Sequence, residues 1–180
     1  MKATGMVRRI DDLGRVVIPK EIRRTMRLRE GAPLEIFTDK DGELIFKKYS
    51  PIGELSEFAA DMCESLRRAS DAAAAVCDRD CVVAASGAAK KELTGKSVSA
   101  ELGGLMDRRG LFRRAPGSAF VPVCEGSERF AAEIAAPILC DGDVVGCVLF
   151  AAQDGEAALG ESEEKLALAA AHFLGRQMEG

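Results

Sequence analysis

The chain has 180 residues, of which 47% are hydrophobic and 30% charged, enough for one mid-sized domain or two small ones. No apolar run approaches the roughly 18 residues of a membrane span, and the N-terminus lacks the apolar stretch of a signal peptide, so we expect a cytoplasmic protein without a membrane partner. The net charge of −4 is unevenly divided, because residues 1–50 carry 12 Lys and Arg against 8 Asp and Glu, whereas residues 51–180 carry 13 against 21.

The first 50 residues predict a small β-rich module. Apolar clusters bounded by turn residues indicate four short strands near residues 6–7, 16–18, 34–37 and 44–46. Pro19 suits the first position of a helix of about two turns that ends near Met26. Four strands and one short helix bury too little surface and leave open edges, so we expect a homodimer through residues 1–50.

The pattern changes at Ser50, which suits a helix N-cap, and Pro51, which suits the first helical position. We therefore place a domain boundary near residue 50, with a helix over 51–70 that joins the two modules and drives further association, to a tetramer. Its predicted seam has a spacing of three and four residues and consists of Ile52, Leu55, Ala59, Met62, Leu66 and Ala69.

Residues 71–180 alternate strands and helices, which predicts an α/β sandwich and an α+β fold for the whole chain. We expect strands at 73–77, 81–85, 119–124, 130–140 and 144–152, and a helix over 90–106 with a break near Gly95. A final helix follows Glu161, and its predicted apolar face consists of Leu166, Ala170, Phe173, Leu174 and Met178.

The short helix of the basic module carries the strongest functional signal. Ile22 and Met26 share one face, which leaves the cationic side chains on the other. Arginine suits phosphates and guanine edges, so this patch favours double-stranded DNA as the partner. The candidate DNA-binding residues are Arg8, Arg9, Arg15, Lys20, Arg23 and Arg24, with Arg27 and Arg29 as weaker candidates.

The run from Ala3 to Arg24, continued through 34–37 and 44–49, closely resembles the DNA-binding domain of the AbrB family of transcriptional regulators. The resemblance implies a swapped-hairpin dimer in which Arg8, Arg15, Arg23 and Arg24 contact DNA. Arg9 and Lys20 lie beside them as further phosphate contacts.

The second module resembles a GAF domain at residues 75–83, 94–99 and 136–150. The two parts in this order resemble AbrB-family regulators of sporulation-stage genes with a C-terminal GAF-like sensory domain. This implies a nucleoid-associated activator or repressor and allows a small-molecule effector that the fold does not identify. We expect no haem, tetrapyrrole or other cofactor.

Other chemistries find weaker support. Cys77, Cys81, Cys140 and Cys147 have poor spacing for a zinc site, so we expect reduced cysteines that pack as small apolar side chains, and no metal. The single histidine, His172, has no nucleophile or acid at a companion position, so we expect no catalytic residue and no enzyme. The basic run 108–114 is assigned to solvated loop charge and not to a site.

An antitoxin-like DNA binder of the same superfamily, which neutralises a protein partner, is the alternative. It accounts only for the first module, because an antitoxin tail is usually short and disordered, whereas residues 51–180 have the pattern of a folded domain.

Overall fold

A computed structural model of the chain describes residues 5–26, 28, 30–153 and 159–179. The chain divides into two compact units, Met1–Tyr49 and Ser50–Gly180. By this division the helical segment 51–70 belongs to the second unit. Within the described residues, no helix combines the length and the apolar character that a bilayer span requires.

The first unit contains one short helix and one hairpin. Helix α1 covers Lys20–Thr25, and strands β1 (Leu34–Thr38) and β2 (Leu44–Lys48) pair antiparallel. The turn between the strands includes Gly42 at a φ of 80°, a conformation that glycine adopts without strain. The helix and the last two strands are as predicted, although Pro19 stands at the N-cap and Lys20 begins the helix.

The first two predicted strands are not formed within this single chain. Residues 5–10 and 15–19 have no strand assignment in the structure, and a backbone hydrogen bond from the Asp11 amide to the Arg15 carbonyl (3.0 Å) closes the turn between them. A strand exists only where another strand accepts its hydrogen bonds. The prediction of four strands is wrong for the isolated chain.

No side chain of the first unit is buried by its own chain, as far as the structure describes residues 5–49. Isolated exposed apolar side chains are ordinary, but here they form most of the apolar content of the unit. The large exposed ones are Met6, Val7, Ile10, Leu13, Val16, Val17, Met26, Ile36, Phe37, Leu44 and Tyr49.

The second unit begins with two helices where one was expected. Helix α2 covers Pro51–Glu54 and α3 covers Ser56–Ser70, because Leu55 leaves helical geometry between them. Ser50 caps α2 by accepting a hydrogen bond from the Gly53 amide at 3.0 Å, as predicted.

The predicted seam is split between the core and the surface. Ile52, Ala59 and Leu66 are buried against the sheet of their own unit, so the expectation that the whole seam faces another helix is wrong for these three. Leu55 and Met62 are half-buried and Ala69 is exposed. The sequence pattern predicted the wrong buried face of α3, because two neighbouring stripes along this helix are both apolar.

The rest of the unit is a five-stranded antiparallel sheet with helices on both faces. The strand order is β4-β3-β7-β6-β5. The elements are β3 Ala73–Asp78, β4 Val82–Ala85, α4 Ala89–Leu93, α5 Ala100–Asp107, β5 Phe112–Arg113, β6 Phe130–Cys140, β7 Asp143–Gln153 and α6 Glu161–Met178.

These elements agree with most of the prediction. The expected helix over 90–106 is interrupted around Gly95, which has a φ of 78°, as proposed. Residues 119–124 do not form a strand and make only isolated bridges, at Pro122 and Cys124. Strand β5 was not predicted, because two residues carry no periodic pattern.

Each face of the sheet has its own core. Helices α4 and α5 cover one face, where Leu102, Met106 and Phe130 are buried. Helices α2, α3 and α6 cover the other, where Ile134, Phe150 and Leu174 are buried. Phe173, predicted to lie on the apolar face of α6, is exposed instead.

The six cysteines are free thiols, and four of them are buried. Cys77 lies opposite Cys147 on the neighbouring strand, and their hydrogen bond, together with burial, raises the pKa of the Cys77 thiol. Burial raises the pKa of Cys63 to about 12. These thiols are protonated at neutral pH and fill space as small apolar groups.

Helix α6 approaches β6 closely at Gly175. A Cβ atom added there would lie 2.2 Å from the Leu139 carbonyl oxygen, a distance that requires the helix to move. We predict that Gly175→Ala destabilises the second unit by about 1–3 kcal/mol in denaturant unfolding. Gly104→Ala on α5, which has open space at its Cβ, is the control and should be neutral or stabilising by up to about 1 kcal/mol. Equal stability of the two variants would contradict the close approach.

Candidate nucleic-acid interface

The candidate interface begins at a tight chain reversal, 11–15. The Asp11 carboxylate organises it, because one oxygen accepts hydrogen bonds from the amides of Leu13 (3.0 Å) and Arg15 (2.8 Å). The other oxygen accepts from Arg15 Nε at 2.8 Å. The amide and then the guanidinium of Arg15 lower the pKa of Asp11, so this carboxylate remains charged at neutral pH.

This contact matters for function because it orients a candidate DNA-binding residue. Asp11 occupies the Nε edge of Arg15, which leaves the terminal nitrogens of the guanidinium for a phosphate or a base edge. Sequence reasoning identified the turn but missed this role. The signal was an aspartate at the start of a turn that ends in glycine, since Asp side chains bond to amides two residues ahead.

Helix α1 presents the second group of cations. Lys20, Arg23 and Arg24 are three and four residues apart, so they are neighbours on the helix surface, and all three are exposed. Arg23 and Arg24 also lie in the last turn, where positive charge complements the helix dipole. The helix is short, with six residues, and depends on contacts outside itself for stability.

The structure places Arg8 and Arg9 on the arm before the reversal and Arg15 just after it, all three exposed. Lys20, Arg23 and Arg24 are brought together on α1. Arg27 and Arg29 lie outside the described residues.

The decisive electrostatic feature is which cations lack a counter-charge. Among the described residues, Arg8, Arg9, Lys20, Arg23 and Arg24 form no ion pair, and Arg15 pairs with Asp11. In the second unit most arginines are neutralised locally. These pairs are Arg67–Glu64, Arg79–Asp107, Arg109–Asp143, Arg113–Glu164, Arg114–Glu133, Arg129–Glu92 and Arg176–Glu179.

Among the described arginines, those without an ion pair therefore lie mostly in the first unit. A polyanion that binds there displaces no internal ion pair, except at Arg15. The run 108–114 is unlike this surface, because three of its four arginines already contact carboxylates.

Comparison with known proteins identifies the family. The family model for the stage V sporulation protein T C-terminal, transcription factor, matches residues 54–179. Over 179 residues, 99% of both chains, the sequence is 48% identical to stage V sporulation protein T of Bacillus subtilis (strain 168). The chain belongs to the stage V sporulation protein T family. The family is one of transcription factors, which confirms the predicted DNA-binding regulator.

The first unit has relatives of its own. Over 51 residues it is 57% identical to the transition state regulatory protein AbrB of Bacillus subtilis (strain 168), which covers 28% of this chain and 52% of that protein. The model of a bacterial antitoxin family, antidote-toxin recognition MazE, matches residues 7–54. The predicted AbrB-type N-terminal domain is confirmed.

The second unit has the predicted GAF-like fold. The crystal structure of the GAF domain from Acinetobacter phosphoenolpyruvate-protein phosphotransferase matches with a TM-score of 0.53, covering 73% of this chain and 84% of that chain. The identity is 12%, so the likeness concerns the fold alone.

We predict that Arg23→Ala with Arg24→Ala weakens duplex DNA binding and reduces its salt dependence, because each lost phosphate contact lowers the slope of log K against log salt by about 0.9. Binding is measured by fluorescence anisotropy across a salt series. Lys90→Ala with Lys91→Ala removes the same charge from two exposed positions of α4 in the second unit and is the control. Equal losses in the two double variants would contradict this assignment and indicate a general charge effect.

Proposed function

We propose that this chain regulates sporulation-stage genes by binding double-stranded DNA as a dimer, through Arg8, Arg9, Arg15, Lys20, Arg23 and Arg24 of each first unit. The observation that carries the proposal is the exposed positive charge of these residues, of which Arg15 alone is in an ion pair, in contrast to the second unit, whose described arginines are mostly paired. The protein acts at the nucleoid in the cytoplasm, as an activator or repressor and not as an enzyme.

The same proposal has a cellular test. Genome-wide footprinting during sporulation compares the wild type with the Arg23→Ala, Arg24→Ala strain. Enrichment upstream of sporulation-stage genes that is lost in the double variant supports the proposal, and a wild type without such enrichment contradicts it.

The dimer follows from the missing core of the first unit. Residues 5–10 and 15–19 are not assigned to a strand in one chain, and no described side chain of the unit is buried. A second copy with interleaved hairpins supplies both the hydrogen bonds and the apolar contacts. A two-fold axis also doubles the cationic surface, so the interface that buries the apolar residues is the one that assembles the DNA-binding face.

Val17 is 73% exposed in one chain, where a polar replacement should be harmless. We predict instead that Val17→Asp disrupts the dimer of first units, lowers the mass in analytical ultracentrifugation and abolishes tight DNA binding, because a charge would be buried at the interface. Leu139→Asp, at an exposed apolar position of the second unit, is the control. An unchanged mass with Val17→Asp would contradict this dimer.

A second association surface lies on α3 and α6. Phe58 stacks on Phe173 with ring centroids 5.6 Å apart, yet the two residues are 38% and 45% exposed. On α3, Met62 and Ala69 share the stripe of Phe58 at spacings of four and seven residues. We propose that this stripe pairs with its copy in another subunit, which makes two dimers a tetramer with two DNA-binding faces.

We predict that Phe58→Asp with Phe173→Asp halves the mass of the assembly in solution. Binding to DNA with one site should persist, whereas DNA with two sites should lose its additional affinity, because the two faces are no longer linked. His172→Asp, at an exposed position beside Phe173, serves as the control. A variant that keeps its mass, or loses equal affinity on both DNAs, would show that the aromatic pair has only an intramolecular role.

We assign the GAF-like unit a regulatory role, in which it transmits an effector signal through this association between subunits.

The antitoxin-like alternative is less well supported. It requires the C-terminal part to wrap a partner, but residues 50–179 build a five-stranded sheet with cores on both faces.

A further inference from the structure

A small cavity opens at the edge of the second unit's sheet, where β5 pairs with β6. Its volume is about 250 Å³, room for about eight water molecules, which suits a small metabolite and not a nucleotide. The lining is charged on one side and apolar on the other, and consists of Arg113, Arg114, Ala115, Pro116, Glu133 and Leu159.

The charged side contains a fixed ion pair. Glu133 is only 7% exposed and lies at a bulge of β6, where the register to β7 shifts. Its Oε1 accepts hydrogen bonds from Arg114 Nε at 2.7 Å and from Arg114 Nη2 at 2.6 Å. Such a buried pair holds both side chains in place, so this part of the lining is preorganised.

Arg113 is the adaptable cation of the lining. Its side chain is 51% exposed, and it donates from Nη1 to Glu164 Oε1 at 2.8 Å and from Nη2 to the Leu159 carbonyl at 3.1 Å. A guanidinium has five N–H groups, so these two bonds leave three for another acceptor. The side chains of Arg113 and Glu164 are 51% and 19% exposed, so water and a small ligand reach the ion pair from the Arg113 side.

The balance of charges selects the ligand. Each arginine of the lining already pairs with a carboxylate, Arg113 with Glu164 and Arg114 with Glu133. Displacement of Glu164 would leave two arginines and one glutamate, a net charge of +1, which favours a monoanion over a dianion. The planar guanidinium matches a carboxylate, and Ala115, Pro116 and Leu159 offer an apolar wall for a short hydrocarbon chain.

We propose that this cavity binds a small organic monocarboxylate, with Arg113 as the anchoring residue and Glu164 as the side chain that the ligand displaces. The inference deepens the proposed regulatory role of the second unit and rests on it for its biological meaning.

The position of Arg113 connects this site to the association surface. Glu164 lies in the first turn of α6, and the Leu159 carbonyl precedes the N-cap Gly160, so Arg113 ties down the start of this helix. The same helix carries Phe173. A carboxylate that accepts hydrogen bonds from Arg113 would replace the bonds that Arg113 makes to the start of α6. This is the helix that we propose to contact another subunit.

The test measures binding of acetate, isobutyrate and hexanoate to the full-length protein by isothermal titration calorimetry, at constant ionic strength. Inorganic phosphate, titrated at a mildly alkaline pH where it is dianionic, is the comparison. We expect saturable binding of at least one carboxylate, and binding at least about tenfold weaker in Arg113→Gln, because charge-assisted hydrogen bonds are lost.

Glu164→Gln is the matched control, because it breaks the same ion pair but keeps the guanidinium. This variant should bind the carboxylate as tightly as the wild type or more tightly, whereas Ala115→Phe should block the cavity. The proposal is overturned if no carboxylate binds, if Arg113→Gln and Glu164→Gln weaken binding equally, or if phosphate binds as tightly.

DNA binding of the same samples, without added carboxylate, separates this proposal from the preceding one. Intact DNA binding together with no carboxylate binding overturns the ligand site alone. Absence of DNA binding in the wild type contradicts the proposed function, whatever the calorimetry shows.

Discussion

Burial of the apolar side chains of the first unit requires atoms that its own chain does not supply. Complete burial of a valine, leucine or phenylalanine contributes about 1.5–3 kcal/mol, whereas ordering each residue costs about 1–2 kcal/mol of backbone entropy. A unit of 49 residues in which no described side chain is buried cannot offset that cost. The dimer that we propose would therefore couple folding of this unit to association, and DNA affinity would depend on protein concentration.

The second unit differs, because its own helices and sheet enclose two apolar cores. Hydrogen bonds also hold its first residue, Ser50, in place. Ser50 Oγ donates to Asp78 Oδ2 at 2.8 Å, while Asp78 Oδ1 accepts from the amides of Asp80 and Cys81, both at 2.7 Å. A Cβ at Gly146 would lie 2.6 Å from Ile52 Cδ1 and 2.0 Å from the Cys77 carbonyl oxygen, so glycine is needed for α2 to reach the sheet. A displacement of the β3–β4 turn would therefore change the hydrogen bond of Ser50, the residue at which the second unit begins.

Elements that depend on neighbouring residues were predicted more accurately than those that depend on distant residues or on another chain. Strand β6 was predicted with its observed limits, because a long apolar run ends at a turn that includes Gly142. The strands near residues 6–7 and 16–18 were predicted but not found, because strand formation depends on a partner that one chain lacks. The seam on α3 was assigned the wrong phase, since Ala59, Cys63 and Leu66 face the core whereas Phe58 and Met62 form the neighbouring stripe.

The candidate DNA-binding residues were predicted from type and resemblance, but their availability was not, because it depends on where the carboxylates lie. The pairs Arg113–Glu164 and Arg114–Glu133 join residues 51 and 19 positions apart, so no local sequence pattern predicts these ion pairs. The excess of acid in the second unit is therefore partly used to neutralise that unit's own arginines. Binding of a polyanion depends on uncompensated charge and not on the number of arginines, so the exposed arginines of the first unit are better candidates for DNA contact than the paired arginines of the second.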